Sequence, residues 1–276
     1  MALFGFPVEL PFRRFQVSRQ VEEGSLMVGY VERLLLEELG LSAGSCEFEV
    51  IAAEILEETG TYPETAKMAE LARSYCSSAD PVGDPDGALL KWLEAEEKLF
   101  FALEKLIEGP SIRKGFVKNN RVDFEAFIAR SLSIQNRRKS RRGRSLEHHL
   151  TALFLANDLS FTPQGTTEGK SRPDFIFPSI EAYHAREFPV DALFMVAAKS
   201  SCKDRWRQIL AEAERVEVKH LVTLEFNLSD AQLREMERQG VIPVVPCAER
   251  DRDESLRTLQ WLISVLSSSQ VLLSQL

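Results

Sequence analysis

The chain has 276 residues, 34 Lys and Arg against 42 Asp and Glu, and a formal net charge of −8. With 44% hydrophobic residues it can build a sizeable core, which excludes a disordered chain, and no apolar run approaches the ~18–20 residues of a membrane span. The acidic total points away from nucleic acid, yet it is only a sum. Residues 1–110 hold 9 of the basic residues and 21 of the acids, net −12, which leaves 25 and 21, net +4, for residues 111–276.

Nothing at the start of the chain reads as a secretion signal. Residues 1–24 show no periodicity. Helices are predicted over 25–40, closed by Gly40, then over Cys46–Thr59 and Pro63–Cys76 around Gly60. The stretch 77–87 (SSADPVGDPDG) is a loop. A long helix over Ala88–Ile107 is expected to stop at Gly109-Pro110, and another covers Val122–Leu132 with Asp123 near its start. Seven basic residues then cluster between Arg130 and Arg144, followed by Ser145 as the N-cap of a helix that buries Leu146, Leu150, Leu153 and Phe154. Beyond it the pattern changes to short apolar strands, Phe175–Phe177, Leu193–Ala198, Leu221–Phe226 and Val241–Val245. They alternate with helices over Asp204–Val216, Ser229–Gln239 and Asp253–Leu266. The fold class is therefore α/β, a mixed sheet flanked by helices, behind a mostly helical N-terminal portion. We divide the chain into a helical extension, 1–87, and a catalytic domain, 88–276.

Cys46, Cys76, Cys202 and Cys247 are far apart without a C-x-x-C pair, so they predict free thiols in an intracellular protein and no zinc site. His148, His149, His184 and His220 form no metal motif.

One constellation carries chemistry. Asp174 precedes a strand, Lys199 closes the next, and Glu212 follows 13 residues later on a predicted helix. Neighbouring strands lie ~4.8 Å apart, so Asp174 and Lys199 can share a pocket. Two carboxylates can hold a hard cation such as Mg²⁺, and a lysine can stabilise charge developing on a phosphate. A Pro-Asp pair and a lysine at a strand end also occur without such chemistry, so these residues alone leave the reading open.

Residues 137–155 (RRKSRRGRSLEHHLTALFL), 172–178 (RPDFIFP) and 196–212 (VAAKSSCKDRWRQILAE) resemble the catalytic domain of the EcoRII-type, PspGI-like restriction endonucleases, within the PD-(D/E)xK superfamily. The similarity runs from about Ala88 to the C-terminus. The common superfamily motif has an acid where this chain has Ala197, but the EcoRII-like group shares that departure and carries its second acid on the following helix. By this resemblance Asp174 and Glu212 are metal ligands, Lys199 is the catalytic lysine, and Glu147 is a further acid of the active site. Tyr183 corresponds to a tyrosine of the family and reads as a packing residue. Lys203, Asp204 and Arg205 are implied to read G·C pairs, since basic side chains donate to guanine and Asp accepts from cytosine. Arg137, Arg138, Lys139, Arg141, Arg142, Arg144 and Arg207 are the expected contacts to the DNA backbone. Trp206 reads as core. Trp92, Phe100 and Phe101 read as a buried aromatic stripe, and no pocket for extruded bases is assigned.

The resemblance implies a Mg²⁺-dependent type II restriction endonuclease, a homodimer acting on double-stranded DNA in the cytoplasm of a bacterial or archaeal cell. It implies a CCWGG- or CCNGG-like site cut before the first C to leave a 5′ overhang, and a cognate methyltransferase that does not contact this chain. The short region ahead of the matched part leads us to expect no effector domain and no need for a second, activating site. Two other classes remain open at this point, a PD-(D/E)xK nuclease of repair or structure-specific type and a catalytically silent DNA-binding module.

Overall fold

The computed structural model describes residues 46–201, 203–224, 229–246 and 256–274, without the side chains of 46, 47 and 203–205. The predicted helix over 25–40 lies outside the described residues. By internal contacts the chain divides into two compact units, residues 1–51 and 52–276. Helix α1 is Cys46–Thr59, and within the second unit α2 (Thr65–Ser74), α3 (Pro85–Lys114) and α4 (Phe124–Ala156) pack side by side. A small antiparallel pair, β1 (Val117–Lys118) and β2 (Arg121–Val122), links α3 to α4.

Both long helices outrun their sequence signals. Pro110 lies inside α3 rather than ending it. Proline removes one hydrogen bond of the ladder and crowds the carbonyl four residues back, but the turn before it is held from outside. Buried Glu108 takes Arg130 at 2.5 Å and Arg137 at 2.7 Å, both from α4. Ser145 is likewise no N-cap. It sits inside α4, whose cap is Asp123, and its hydroxyl donates to Glu96 of α3. The run 137–144 lacks apolar residues and so reads as a loop, but arginine is a good helix former and the buried acids of α3 recruit these side chains.

The main sheet has the order β3-β4-β5-β6-β7. Its strands are β3 (Thr162–Pro163), β4 (Phe175–Phe177), β5 (Phe194–Lys199), β6 (Lys219–Thr223) and β7 (Val241–Val244). Pairing is antiparallel from β3 to β5 and parallel from β5 to β7. Between them lie α5 (Ile180–His184), a 3-10 helix over Lys203–Ala211 and α6 (Asp230–Arg238), and α7 (Leu259–Leu273) follows. The crossover predicted as an α-helix over Asp204–Val216 is thus a 3-10 helix that stops at Ala211. Ser229 and Gln232 form a reciprocal capping box that starts α6. Gly240 ends the turn after it with φ +71, and an added Cβ would lie 2.7 Å from the Glu217 carbonyl oxygen, so only glycine fits.

Alternation along the strands splits the core in two. Phe175, Phe177, Val196, Ala198 and Val222 face Leu150, Leu153 and Phe154 of α4 and Leu262 of α7. Ile176, Met195, Ala197 and Leu221 face Tyr183, Trp206, Ile209 and Met236 on the other side. Trp206 and Tyr183 are therefore core residues. Trp92 and Phe100 are buried as expected, whereas Phe101 is partly exposed beneath Arg138.

His220 of β6 is buried between the rings of Phe194 and Trp261. Burial pulls its pKa down to about 4, against a hydrogen bond to the Met195 backbone. The unfolded chain, with an ordinary histidine near 6.5, then binds the extra proton between those two values. His220 therefore contributes stability that is complete above about pH 6.5 and is lost as pH falls towards 4, a change of about 3 kcal/mol. Burial lowers the pKa of His149 as well, in the same sense. Replacing His220 by Phe should flatten, without abolishing, the fall of melting temperature between pH 6.5 and 4. An unchanged slope would show that His220 does not set it.

Candidate active site at one end of the sheet

β4 and β5 are antiparallel, so the residue before β4 and the last residue of β5 emerge at the same end of the sheet. Asp174 and Lys199 meet there, with the lysine Nζ 2.7 Å from Asp174 Oδ2. The same oxygen accepts the Ala198 amide at 2.8 Å. The other oxygen, Oδ1, accepts the side-chain amide of Gln164 at 3.1 Å. Asp174 is buried, and these three donors offset the cost of keeping its charge there.

Glu212 arrives from the crossover between β5 and β6. It stands one residue past the 3-10 helix rather than on it, and its amide bonds to the Ile209 carbonyl at 3.1 Å. Burial pushes its carboxyl above the usual glutamate range, opposed by the charge of Lys199 and reinforced by that of Asp174. Its Oε2 is buried and has no hydrogen-bond partner among the described residues. Glu147 comes from α4. Burial raises its pKa first and the Asp174 charge second, and its Oε2 accepts from Gln164 at 3.3 Å. The four residues Asp174, Lys199, Glu212 and Glu147 are thus gathered around one sheet end. Gln164 joins them, and nothing in the spacing of the sequence singled it out.

Among the described residues no three acids, histidines or cysteines converge on one point as a ready metal cage. The donor set nonetheless fits a divalent cation held by one or two carboxylates with open water positions. Among the described residues the carboxylates of Asp174, Glu212 and Glu147 lie near Lys199, and one Glu212 oxygen is buried with no donor. A bare anionic oxygen in such surroundings is costly unless a cation or a donor reaches it.

A family model described as the EcoRII C-terminal domain matches residues 100–265. The chain belongs to the EcoRII C-terminal family. It is 51% identical over 164 residues to the type II restriction enzyme EcoRII of Escherichia coli, across 59% of this chain and 39% of that protein. The chain therefore spans about two fifths of that relative's length. Its fold is similar to that of metal-depleted Ecl18kI in complex with uncleaved DNA, at TM-score 0.64 and 16% identity over 84% of this chain and 86% of the other. It is also similar to the restriction endonuclease PspGI in complex with substrate DNA, at TM-score 0.60 and 13% identity over 78% and 94%. At these identities the two structures speak for the fold alone, which is that of restriction endonucleases.

Within the EcoRII C-terminal family frame, the seven expected backbone contacts divide into groups. Arg137 bonds Glu108 and Tyr62, Arg138 pairs with Glu104, and half-buried Arg141 donates to the Pro63 carbonyl. Those three guanidinium groups tie α4 to α3, through Glu104 and Glu108, and to the non-helical stretch at Tyr62 and Pro63 ahead of α2. Arg207 is engaged by both oxygens of Glu235 at 3.0 Å, in a pair that stays exposed. Lys139, Arg142 and Arg144 are exposed and have no ion-pair partner among the described residues. Lys203, Asp204 and Arg205 open the 3-10 helix that starts four residues after Lys199, and their side chains lie outside the described residues. Among the described residues no helix is long and apolar enough to cross a membrane.

Proposed function

We propose that this chain is a type II restriction endonuclease that hydrolyses both strands of double-stranded DNA at a CCWGG- or CCNGG-like site, cutting before the first C to leave a 5′ overhang. The observation that carries the reading is the meeting of Asp174, Lys199 and Glu212 at one sheet end, with a buried Glu212 oxygen that has no donor among the described residues. The 51% identity to EcoRII supports the choice of reaction over a repair nuclease.

Asp174 and Glu212 would hold Mg²⁺, with Glu147 beside them. When bound, the ion would supply an acidified water and a counter-charge for the phosphate. Lys199 does the rest with its ammonium. One N–H is spent on Asp174, which fixes the group, and the others remain to stabilise negative charge on the scissile phosphate. The burial of Asp174 keeps bulk water from competing for its oxygens.

Lys203, Asp204 and Arg205 would read the G·C ends of the site, beside the reacting phosphate because their helix follows β5 directly. Lys139, Arg142 and Arg144 are the best placed of the expected backbone contacts, and Arg137, Arg138, Arg141 and Arg207 would reach phosphate only by giving up partners inside the protein. A symmetric site read by one active centre per chain calls for a homodimer. A methyltransferase that protects the host's own sites and a cytoplasmic setting belong to the same reading.

The test is digestion of a sequenced plasmid with Mg²⁺ and mapping of every end. We expect ends confined to CCWGG- or CCNGG-like sequences, each with a 5′ overhang. Ends scattered without regard to sequence would overturn the restriction reading.

A further inference from the structure

We propose that Gln164 is a positioning residue whose side-chain amide ties the carboxylate of Glu147 to that of Asp174 and so fixes the spacing of the acids that take up the divalent cation. The inference rests on the function proposed above and assigns a residue that it does not contain.

The geometry is direct. Nε2 of Gln164 is 3.1 Å from Asp174 Oδ1 and 3.3 Å from Glu147 Oε2. An amide nitrogen carries two N–H groups, and here each meets a carboxylate. The opposite orientation of the amide would set its oxygen against two acceptors, so the network fixes which end faces the acids. Glu147 and Asp174 come from different elements, a helix and the start of a strand. Among the described residues no other group donates a hydrogen bond to the Glu147 carboxylate. Without Gln164, two like charges face each other and the three-bond side chain of Glu147 is free to swing away.

The backbone gives an independent observation. Gln164 has φ +53, a left-handed conformation that costs a non-glycine residue on the order of 1 kcal/mol or more. Its amide donates to the Asp174 carbonyl at 3.1 Å, which continues the β3–β4 ladder by one residue and sets the side chain over the site. The side chain is exposed, so core packing does not account for a strained glutamine at this position. Glycine would meet the backbone requirement at lower cost. What glutamine adds is the amide.

Partners that orient metal-binding carboxylates are worth about 10- to 100-fold in metal affinity. The experiment is calorimetric titration of Mn²⁺ into the full chain without DNA, for the parent, Gln164→Gly and Gln164→Met, with melting temperatures measured alongside. Glycine removes the amide and relieves the left-handed strain, while methionine keeps the length and loses the donor. We expect both to bind Mn²⁺ at least about tenfold more weakly, the glycine variant to melt no lower than the parent, and high Mn²⁺ to restore cleavage by both. Variants that bind within twofold of a Mn²⁺-binding parent would overturn this inference alone. A loss of affinity confined to a variant that melts several degrees lower would overturn it too, as a structural effect. A parent that binds no Mn²⁺ would overturn it together with the metal-dependent reaction.

Discussion

Asp174→Asn is expected to leave a folded protein whose single-turnover cleavage rate is lower by about 10³ or more, corresponding to the several kcal/mol that a carboxylate would supply if it holds the metal ion as proposed. The side chain of Asp174 is the hub of the site. Its two oxygens accept from Gln164, the Ala198 amide and Lys199, and no donor of its own is present. Asparagine matches the shape but offers one acceptor and one donor. Its oxygen can keep Ala198 and Lys199. Its amino group then faces the amino group of Gln164, and Gln164 must turn its amide over, which releases Glu147. The variant therefore loses the charge at Asp174 and the tether on Glu147 in one step. The cost in stability should stay at about 1–3 kcal/mol, the value of one unsatisfied buried group. Single-turnover cleavage and thermal unfolding measured on the same preparation separate the two effects. A variant that melts near the parent yet cleaves within tenfold of it would remove Asp174 from the active site.

The parts legible in the sequence were those settled by local pattern. The apolar runs of β4, β5 and β7, the helix that opens at Ser229, and the core position of Trp206 all follow from periodicity and short-range chemistry. The sequence also allowed Asp174 and Lys199 to share a pocket as residues at the ends of neighbouring strands, and the antiparallel pairing of β4 with β5 is what brings them to one sheet end. What the sequence hid depends on partners distant in the chain. The passage of α3 through Pro110 and of α4 through residues 137–145 is held by pairings such as Arg130–Glu108 and Ser145–Glu96, between residues 22 or more positions apart. The same pairings explain why a dense basic run is only partly available to a phosphate backbone. Arginines placed to neutralise Glu104 and Glu108 look, in one dimension, the same as arginines placed for DNA. Gln164 was hidden for another reason. Its left-handed backbone and its two carboxylate contacts are properties of a turn, and no residue-type spacing encodes them.

Phe154→Ala should be among the most destabilising single changes in the chain, at about 4 kcal/mol. The side chain is fully buried, and its ring lies edge-on to Phe175 and Phe177, with centroids 5.2 Å away in both cases, and to Phe161 at 5.7 Å. Truncation removes the buried ring and leaves a cavity bordered by three aromatic side chains that cannot all move inward, because two of them are fixed in β4. In a unit of this size about 4 kcal/mol lowers the melting temperature by roughly 10 °C. Phe154→Leu fills most of the space and should cost less than half as much. The change also reaches the active site. Phe154 lies two turns along α4 from Glu147, on the same side of the helix, and Phe175 is the next residue after Asp174. The aromatic clamp thus holds the helix that carries one acid against the strand that follows the other. Below its melting temperature, Phe154→Ala should need a higher Mn²⁺ concentration for half-maximal cleavage while keeping its maximal rate within about tenfold, since a positioning defect of this kind acts mainly through metal affinity. A melting temperature within 2 °C of the parent would show that the ring does not clamp α4 to the sheet. An unchanged Mn²⁺ requirement in a variant that melts ~10 °C lower would show that the clamp stabilises the fold without setting the distance between Glu147 and Asp174.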